Sequence, residues 1–242
     1  MIKAARELLG GVQISVYMLM IFAVSAVYIY ILTKHVLVSA LVGLFTMFFG
    51  FYHSVFLPKQ LEREQYLLKE LQKYATSMVF YMQSGYNVLQ SLSRSRQNLD
   101  EQIRRDIEKT MIKLQNEAVL DTSHFERYNF PSLDIFHQIL KIKYEAGGDT
   151  KELFSRVSES INFELVKRDE LYRRKKYMRN RIFMMMAITL SMPLIIALFA
   201  GQVYDYFLET GIVAISINVG LFLAVLISMF FLQRNVTNIS IH

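Results

Sequence analysis

Four long stretches almost free of charge set the terms on which this chain can fold. Between Leu8 and Leu57 the only Lys, Arg, Asp or Glu is Lys34, and between Ile182 and Leu232 the only such residues are Asp205 and Glu209. A helix rises ~1.5 Å per residue, so crossing a hydrocarbon layer ~30 Å thick takes about 20 apolar residues. Segments 11–32, 36–57, 182–204 and 211–232 reach that length. Thr33-Lys34-His35 leaves almost no loop between the first two, which predicts a tight antiparallel hairpin; the short acidic link 205–210 predicts a second. Lys3 and Arg6 ahead of an apolar run resemble a secretory leader, but the uncharged stretch 8–33 is too long for a leader's apolar core and a second span follows at once.

The composition fits only if its charges are segregated, because 53% of the residues are hydrophobic while 20% are charged. Of the 27 Lys and Arg, only Lys3, Arg6, Lys34 and Arg234 lie outside 58–181; of the 21 Asp and Glu, only Glu7, Asp205 and Glu209 do. The expected fold is therefore all-α: a polytopic membrane protein with four transmembrane helices and one cytoplasmic helical bundle. Its expected parts are a tail with hairpin 1 (1–57), the bundle (58–181), and hairpin 2 with a short tail (182–242).

Orientation follows from the Lys and Arg that flank the spans. Lys167, Arg168, Arg173, Arg174, Lys175, Lys176, Arg179 and Arg181 precede the third span, with Lys59 and Arg63 after the second, while the opposite side carries Lys34, Asp205 and Glu209. Both termini and the bundle are expected in the cytoplasm. The net charge of +6 invites a nucleic-acid reading. However, the densest basic run abuts a span, where it orients the chain and can draw anionic lipid headgroups at about 1 kcal/mol per residue, or meet an acidic partner. No nucleic-acid partner is expected.

Within the spans, Tyr28, Tyr30, Tyr204 and Tyr206 are candidate interfacial anchors. Ser15, Ser25, Thr46, Thr189, Ser191 and Asn218 could bond across helices, Gly43, Gly50 and Gly220 could allow close approach, and Pro193 should kink the third span. His53, about a turn from the end of its span, is expected to reach for the interface. No acid or base lies near mid-span, which argues against ion transport.

The inserted region reads as helix throughout. Leu61, Leu68, Leu71, Ala75, Met78 and Met82 form one stripe, ended by Gly85. Asn87 is placed to cap the next helix, and Asn98 with Glu101 resembles a capping box. Ile103, Ile107, Met111, Leu114 and Ala118 form a further stripe; 121–127 is ambiguous, and Asn129-Phe130-Pro131 is a break. The helix after it is apolar on more than one side, carrying Leu133, Ile135, Phe136, Ile139, Leu140, Ile142 and Tyr144, and so is expected at the bundle centre. Gly147-Gly148 ends it, Asp149 caps the next with Glu152 at N3, and that helix should bury Leu153, Val157, Ile161 and Leu165. Neither Gly nor Pro interrupts the chain from there to Pro193, which predicts one long helix running from the bundle into the third span.

No catalytic apparatus is visible. Cys is absent, no phosphate-binding glycine motif or H-E-x-x-H occurs, and His35, His53, His124, His137 and His242 include no i,i+4 pair. Glu145 and Asp149 could share a cation, but helix capping explains the same residues. No enzyme activity, cofactor or metal is expected; a lipid-acting membrane enzyme is the weakest rival reading.

Two blocks carry a resemblance. Phe130-Pro131-Ser132-Leu133-Asp134, Ile139-Leu140-Lys141-Ile142 and Glu145-Ala146-Gly147-Gly148-Asp149-Thr150-Lys151-Glu152-Leu153-Phe154 resemble the second half of a type II secretion system F domain. Tyr81-Met82-Gln83-Ser84-Gly85-Tyr86-Asn87-Val88-Leu89-Gln90-Ser91-Leu92 resembles the family's earlier helix–turn–helix, with Gln83-Ser84-Gly85 where R-A-G is usual. Two spans, one such domain and two spans is similar to the tight-adherence (Tad) B and C proteins. The resemblance implies a non-catalytic platform in the inner membrane, working with a secretion ATPase hexamer, with pilin or pseudopilin subunits, and with a paralogous platform protein or itself. The expected partner surface is the turn Gly147, Gly148 and Asp149, with the basic Arg173, Arg174, Lys175 and Lys176 as a second candidate for an acidic partner. The alternative is a signalling or scaffold membrane protein whose helical domain relays a conformational change.

Overall fold

The computed structural model describes residues 9–148 and 150–237, the side chains of 233–237 excepted. Among them no strand occurs, and four helices are long and apolar enough to cross a membrane. The chain is an all-α membrane protein. Asp149, Lys3 and Arg6 lie outside the described residues, as does the side chain of Arg234.

Helix α1 spans Gly11–Thr33 and α2 spans Val36–Phe51. A π-helical turn, Tyr52–Phe56, leads without a break into α3, Leu57–Gln83. Pro58 gives a physical reason for that turn: it has no N–H and its ring crowds the carbonyl four residues earlier, so the preceding turn widens. Then come α4 (Val88–Ser95), α5 (Glu101–Glu117), a 3₁₀ turn (Ser123–Tyr128) and α6 (Pro131–Ala146). Helix α7 runs from Lys151 to Phe199, 49 residues passing through Pro193. It is followed by α8 (Gly201–Glu209) and α9 (Ile212–Thr237). The third span therefore ends at Phe199 rather than 204, interrupted at Ala200 next to the helix-weakening Gly201, and the link to α9 is itself a short helix.

The chain divides into two compact units, Met1–Leu61 with Arg173–His242, and Glu62–Tyr172. In the first, α2 buries Ser39, Gly43, Thr46 and Gly50 at steps of four and three. A Cβ on Gly43 would come within 3.1 Å of Ala26 and 3.2 Å of Phe22, and one on Gly50 within 3.1 Å of Ile21, so these glycines set the approach of α1 and α2. Gly220 does not act this way: a Cβ there would meet nothing within 4 Å, because the opposite face of α9, with Ala214, Phe222 and Leu226, is the buried one. His53 continues the α2 seam by another step of three. It is buried rather than reaching outward, with its ring 4.7 Å from Phe49, 4.9 Å from Tyr52 and 5.4 Å from Phe230.

The hydroxyls correct another expectation. Ser15, Ser25, Thr46, Thr189 and Ser191 each donate to a carbonyl three or four residues back in their own helix. The ties between helices come from elsewhere. The Leu32 carbonyl, in the last turn of α1 and so without an amide partner in its helix, accepts from Tyr204 Oη at 2.8 Å and from Asn218 Nδ2 at 3.2 Å. Tyr28 Oη donates to the Leu190 carbonyl at 3.0 Å, in the turn of α7 that Pro193 disturbs. Tyr30 and Tyr206 stay exposed as anchors would, but Tyr204 is buried and Tyr28 turns inward. The two hairpins pack against each other through these bonds and through Ile29, Phe222 and Leu226.

The second unit has its own core. Tyr74, Phe125, Phe130, Phe136, Leu71, Met78, Leu92, Ile103, Ile107 and Leu133 are sealed from solvent. Tyr74 stacks on Phe125 at 5.6 Å and meets Phe136 edge-on at 6.0 Å. Asn87 caps α4, as the sequence predicts, and Gln90 completes a capping box with it. Helix α5 is capped by Asp100 rather than by Asn98, which takes a left-handed conformation in the turn before it. On α7 the buried stripe is Phe154, Val157, Ile161 and Leu165; Leu153 is exposed, because a strict step of four drifts off one face of a 3.6-residue helix.

Candidate functional site

The predicted partner surface at the end of α6 is built by glycine conformation. Gly147 (φ +70°) and Gly148 (φ +78°) occupy backbone that a side chain would strain. Gly147 N–H donates to the Lys143 carbonyl, and Lys143 Nζ donates to the Gly148 carbonyl, so the last turn is closed from its own helix. Helix α7 begins two residues after the undescribed Asp149, and the Thr150 carbonyl accepts from Phe154 N–H at 2.9 Å. Gly147 and Gly148 are exposed.

The basic candidates lie well inside α7. Arg173, Arg174 and Lys176 are exposed and Lys175 is half-buried. They fall in the unit that holds the membrane helices, whereas Gly147 and Gly148 fall in the other.

The expectation that α6 is enclosed does not hold. Leu133, Phe136, His137 and Leu140 are buried, but Ile135 and Ile142, seven residues apart on the other face, are 47% and 51% exposed. The same helix supplies both core and an uncovered apolar strip that leads to the glycine turn.

Three buried polar clusters escaped the sequence reading. Helix α6 starts under a clamp from α7: Glu164 accepts from Ser132 N–H at 3.0 Å and from Arg168 at 2.7 Å, while Arg168 also donates to the Asn129 carbonyl and Ser132 Oγ meets Ser160 Oγ at 3.0 Å. A carboxylate there satisfies an amide that has no partner in its own helix and answers the positive end of the helix dipole. Asp106, wholly buried on α5, accepts from Arg127, Tyr128 Oη and Lys109, and its carbonyl lies 2.9 Å from His124 Nε2. Glu70 on α3 accepts from Lys73 and from Asp100 N–H, and Asp100 receives both Arg63 Nη atoms at 2.8 Å. Burial opposes the Asp100 charge, but Arg63 and the Gln102 amide outweigh it and hold the carboxyl below its ordinary range. The available signal was charge inside a stripe: Glu70, Asp106 and Glu164 each sit beside core positions of an amphipathic helix.

His137 is also buried, with Nε2 3.4 Å from Tyr74 Oη among the Phe125 and Phe136 rings. Burial first, and His124 second, push its pKa down to about 3, so it is neutral at physiological pH. His124 bonds to Asp106 and Thr110. Among the described residues no cluster of His, Asp and Glu has the makings of a metal site.

Comparison with family models, with curated proteins and with solved structures finds no match.

Proposed function

We propose that this chain is a platform protein of a type II secretion/type IV filament assembly system, of the single-domain tight-adherence kind, passing motion from a cytoplasmic ATPase to pilin or pseudopilin subunits in the bilayer. The observation that carries the reading is α7. One helix buries Phe154, Val157, Ile161 and Leu165 in a helical core and continues, through the basic run, into an apolar span. A second helical path, Val36–Gln83, does the same in reverse. Neither path has a loop between core and span, which a force-transmitting platform needs and a tethered domain does not.

In this reading the membrane is the cell's inner membrane, with the helical unit and both termini in the cytoplasm, because Lys and Arg crowd that side of the spans. The chain acts without catalysis. The ATPase meets the Gly147–Gly148 turn with Asp149 and the exposed strip of Ile135 and Ile142; the 173–176 run lies against anionic lipid; a second copy or a paralogous platform protein completes the assembly.

The test is capture of the cognate secretion ATPase by the full chain in detergent. Binding that falls at least tenfold in Ile142→Glu supports the proposal. Failure to bind, together with normal filament assembly in a deletion strain, overturns it.

A further inference from the structure

We propose that the turn between α3 and α4 carries a docking site for an acidic segment of a partner protein, in which a carboxylate pairs with Arg94 and a neighbouring apolar side chain packs on Phe80. The site lies wholly within the unit Glu62–Tyr172. It begins with a gap in the sequence: from 71 to 99 the chain carries no Asp or Glu, while Arg94 stands in the last turn of α4.

The local fold gathers aromatic rings around that cation. Gly85, at φ +91°, turns the chain out of α3, and Tyr86 N–H donates back to the Tyr81 carbonyl at 3.1 Å. The turn leaves a row of neighbouring rings, with Phe80 5.5 Å from Tyr81 and Tyr81 5.9 Å from Tyr86. Arg94 reaches across from α4 and sets its guanidinium 4.3 Å from the centre of the Tyr86 ring and 5.9 Å from that of Tyr81.

This arginine has no carboxylate. The other arginines of the unit each reach one, from Arg63 on Asp100 to Arg168 on Glu164. Among the described residues the Arg94 side chain makes ring contacts alone. Stacking fixes the plane of a guanidinium without using up its N–H groups, so little freedom remains to be lost when a planar carboxylate forks onto it. Arg94 is exposed, and Phe80 beside the tyrosines is 63% exposed. Tyrosine and arginine are the residue types that carry most binding energy at protein interfaces, and Phe80 adds the apolar anchor point.

Charge selects the occupant. The turn itself, 83–90, is uncharged, and Arg96, two residues beyond Arg94, is already paired with Glu108 at 3.1 Å. One available cation on an uncharged turn suits one carboxylate, whereas a nucleic acid or an anionic membrane surface is held by several cations together. This inference does not rest on the platform reading.

The full chain in detergent is panned against a random dodecapeptide phage library, and the most enriched sequence is synthesised with a fluorescent label. Enriched sequences are expected to set Asp or Glu beside Leu, Ile, Phe or Met. Replacing that acid by its amide should weaken binding to the unaltered chain about tenfold or more, a readout that leaves the fold untouched. Arg94→Gln should weaken it as much, while Arg156→Gln, at an exposed arginine elsewhere in the unit, should leave it unchanged. The inference is overturned if no acidic sequence is enriched, if the amide twin binds equally well, or if Arg94→Gln keeps the affinity. It is also overturned if inorganic phosphate or short-chain phosphatidylglycerol displaces the peptide more strongly than chloride of equal ionic strength.

Discussion

Ser25 and Asp106 are both buried, and the two units satisfy them in opposite ways. Ser25 turns back on its own helix and takes nothing from a neighbour. Asp106 gathers Arg127 and Tyr128 from a separate segment and holds the 3₁₀ turn against α5. The pattern extends beyond this pair: the serine and threonine hydroxyls Ser15, Thr46, Thr189 and Ser191 of the membrane helices bond within three or four residues, whereas Glu70, Asp106 and Glu164 bond across elements. The media explain this. A bilayer gives an unmade hydrogen bond no water to fall back on, so polar groups that close locally are safe in any helix arrangement. In a unit with a polar exterior, a charged group can be half-solvated and half-buried, and cross-element ion pairs then select one packing.

This contrast is open to breaking, and the largest effect should come from the cross-element charges. Asp106→Ala removes the acceptor for three side chains, and loss of about 3 kcal/mol is expected from chemical unfolding of the full chain in detergent. Unchanged stability would mean that the cluster is only decorative.

Acid should act on the same unit by a different route. The folded-state pKa of His137 lies near 3, below the 6.5 of an ordinary histidine. As pH falls, the unfolded chain takes up the proton first, so stability present above pH 6.5 is lost progressively towards pH 3. About 2 kcal/mol should be gone by pH 5. His137→Phe should flatten that slope, read from unfolding at pH 7 and pH 5; an equal slope in the variant refutes the assignment.

Asn218→Leu tests a place where the membrane unit does bond across helices through a side-chain amide. Asn218 reaches both the Leu32 carbonyl and Tyr204 Oη, and its loss should cost about 1 kcal/mol. Ser25→Ala should cost less than about 0.5 kcal/mol, since its bond holds no second helix. A Ser25 effect larger than that of Asn218 would reverse the comparison.

Much of this was legible because some signals are local. Asn87 with Gln90, Gly85, and Gly147-Gly148 end or cap helices as their residue types require, and the lack of any breaker from Lys151 to Pro193 foretold the long helix. The errors share a cause: each depended on what lay opposite. Helix α6 looked central because apolarity on two faces is ambiguous between a core and an uncovered surface; the neighbours cover Phe136 and leave Ile142 open. His53 looked interfacial from its position in the span, but the seam of Ser39, Gly43, Thr46 and Gly50 carries it inward.

The four apolar stretches by themselves determined a membrane protein with a charged helical insert, because hydrocarbon excludes charge and demands closed backbone hydrogen bonds whatever the arrangement. Which helices touch was decided only in three dimensions. The pairing of Tyr204 and Asn218 with the Leu32 carbonyl and the Glu164–Arg168 clamp on α6 join residues far apart in the chain. Such contacts are set by shape and by which groups remain unsatisfied once the helices have formed, and no periodicity records either.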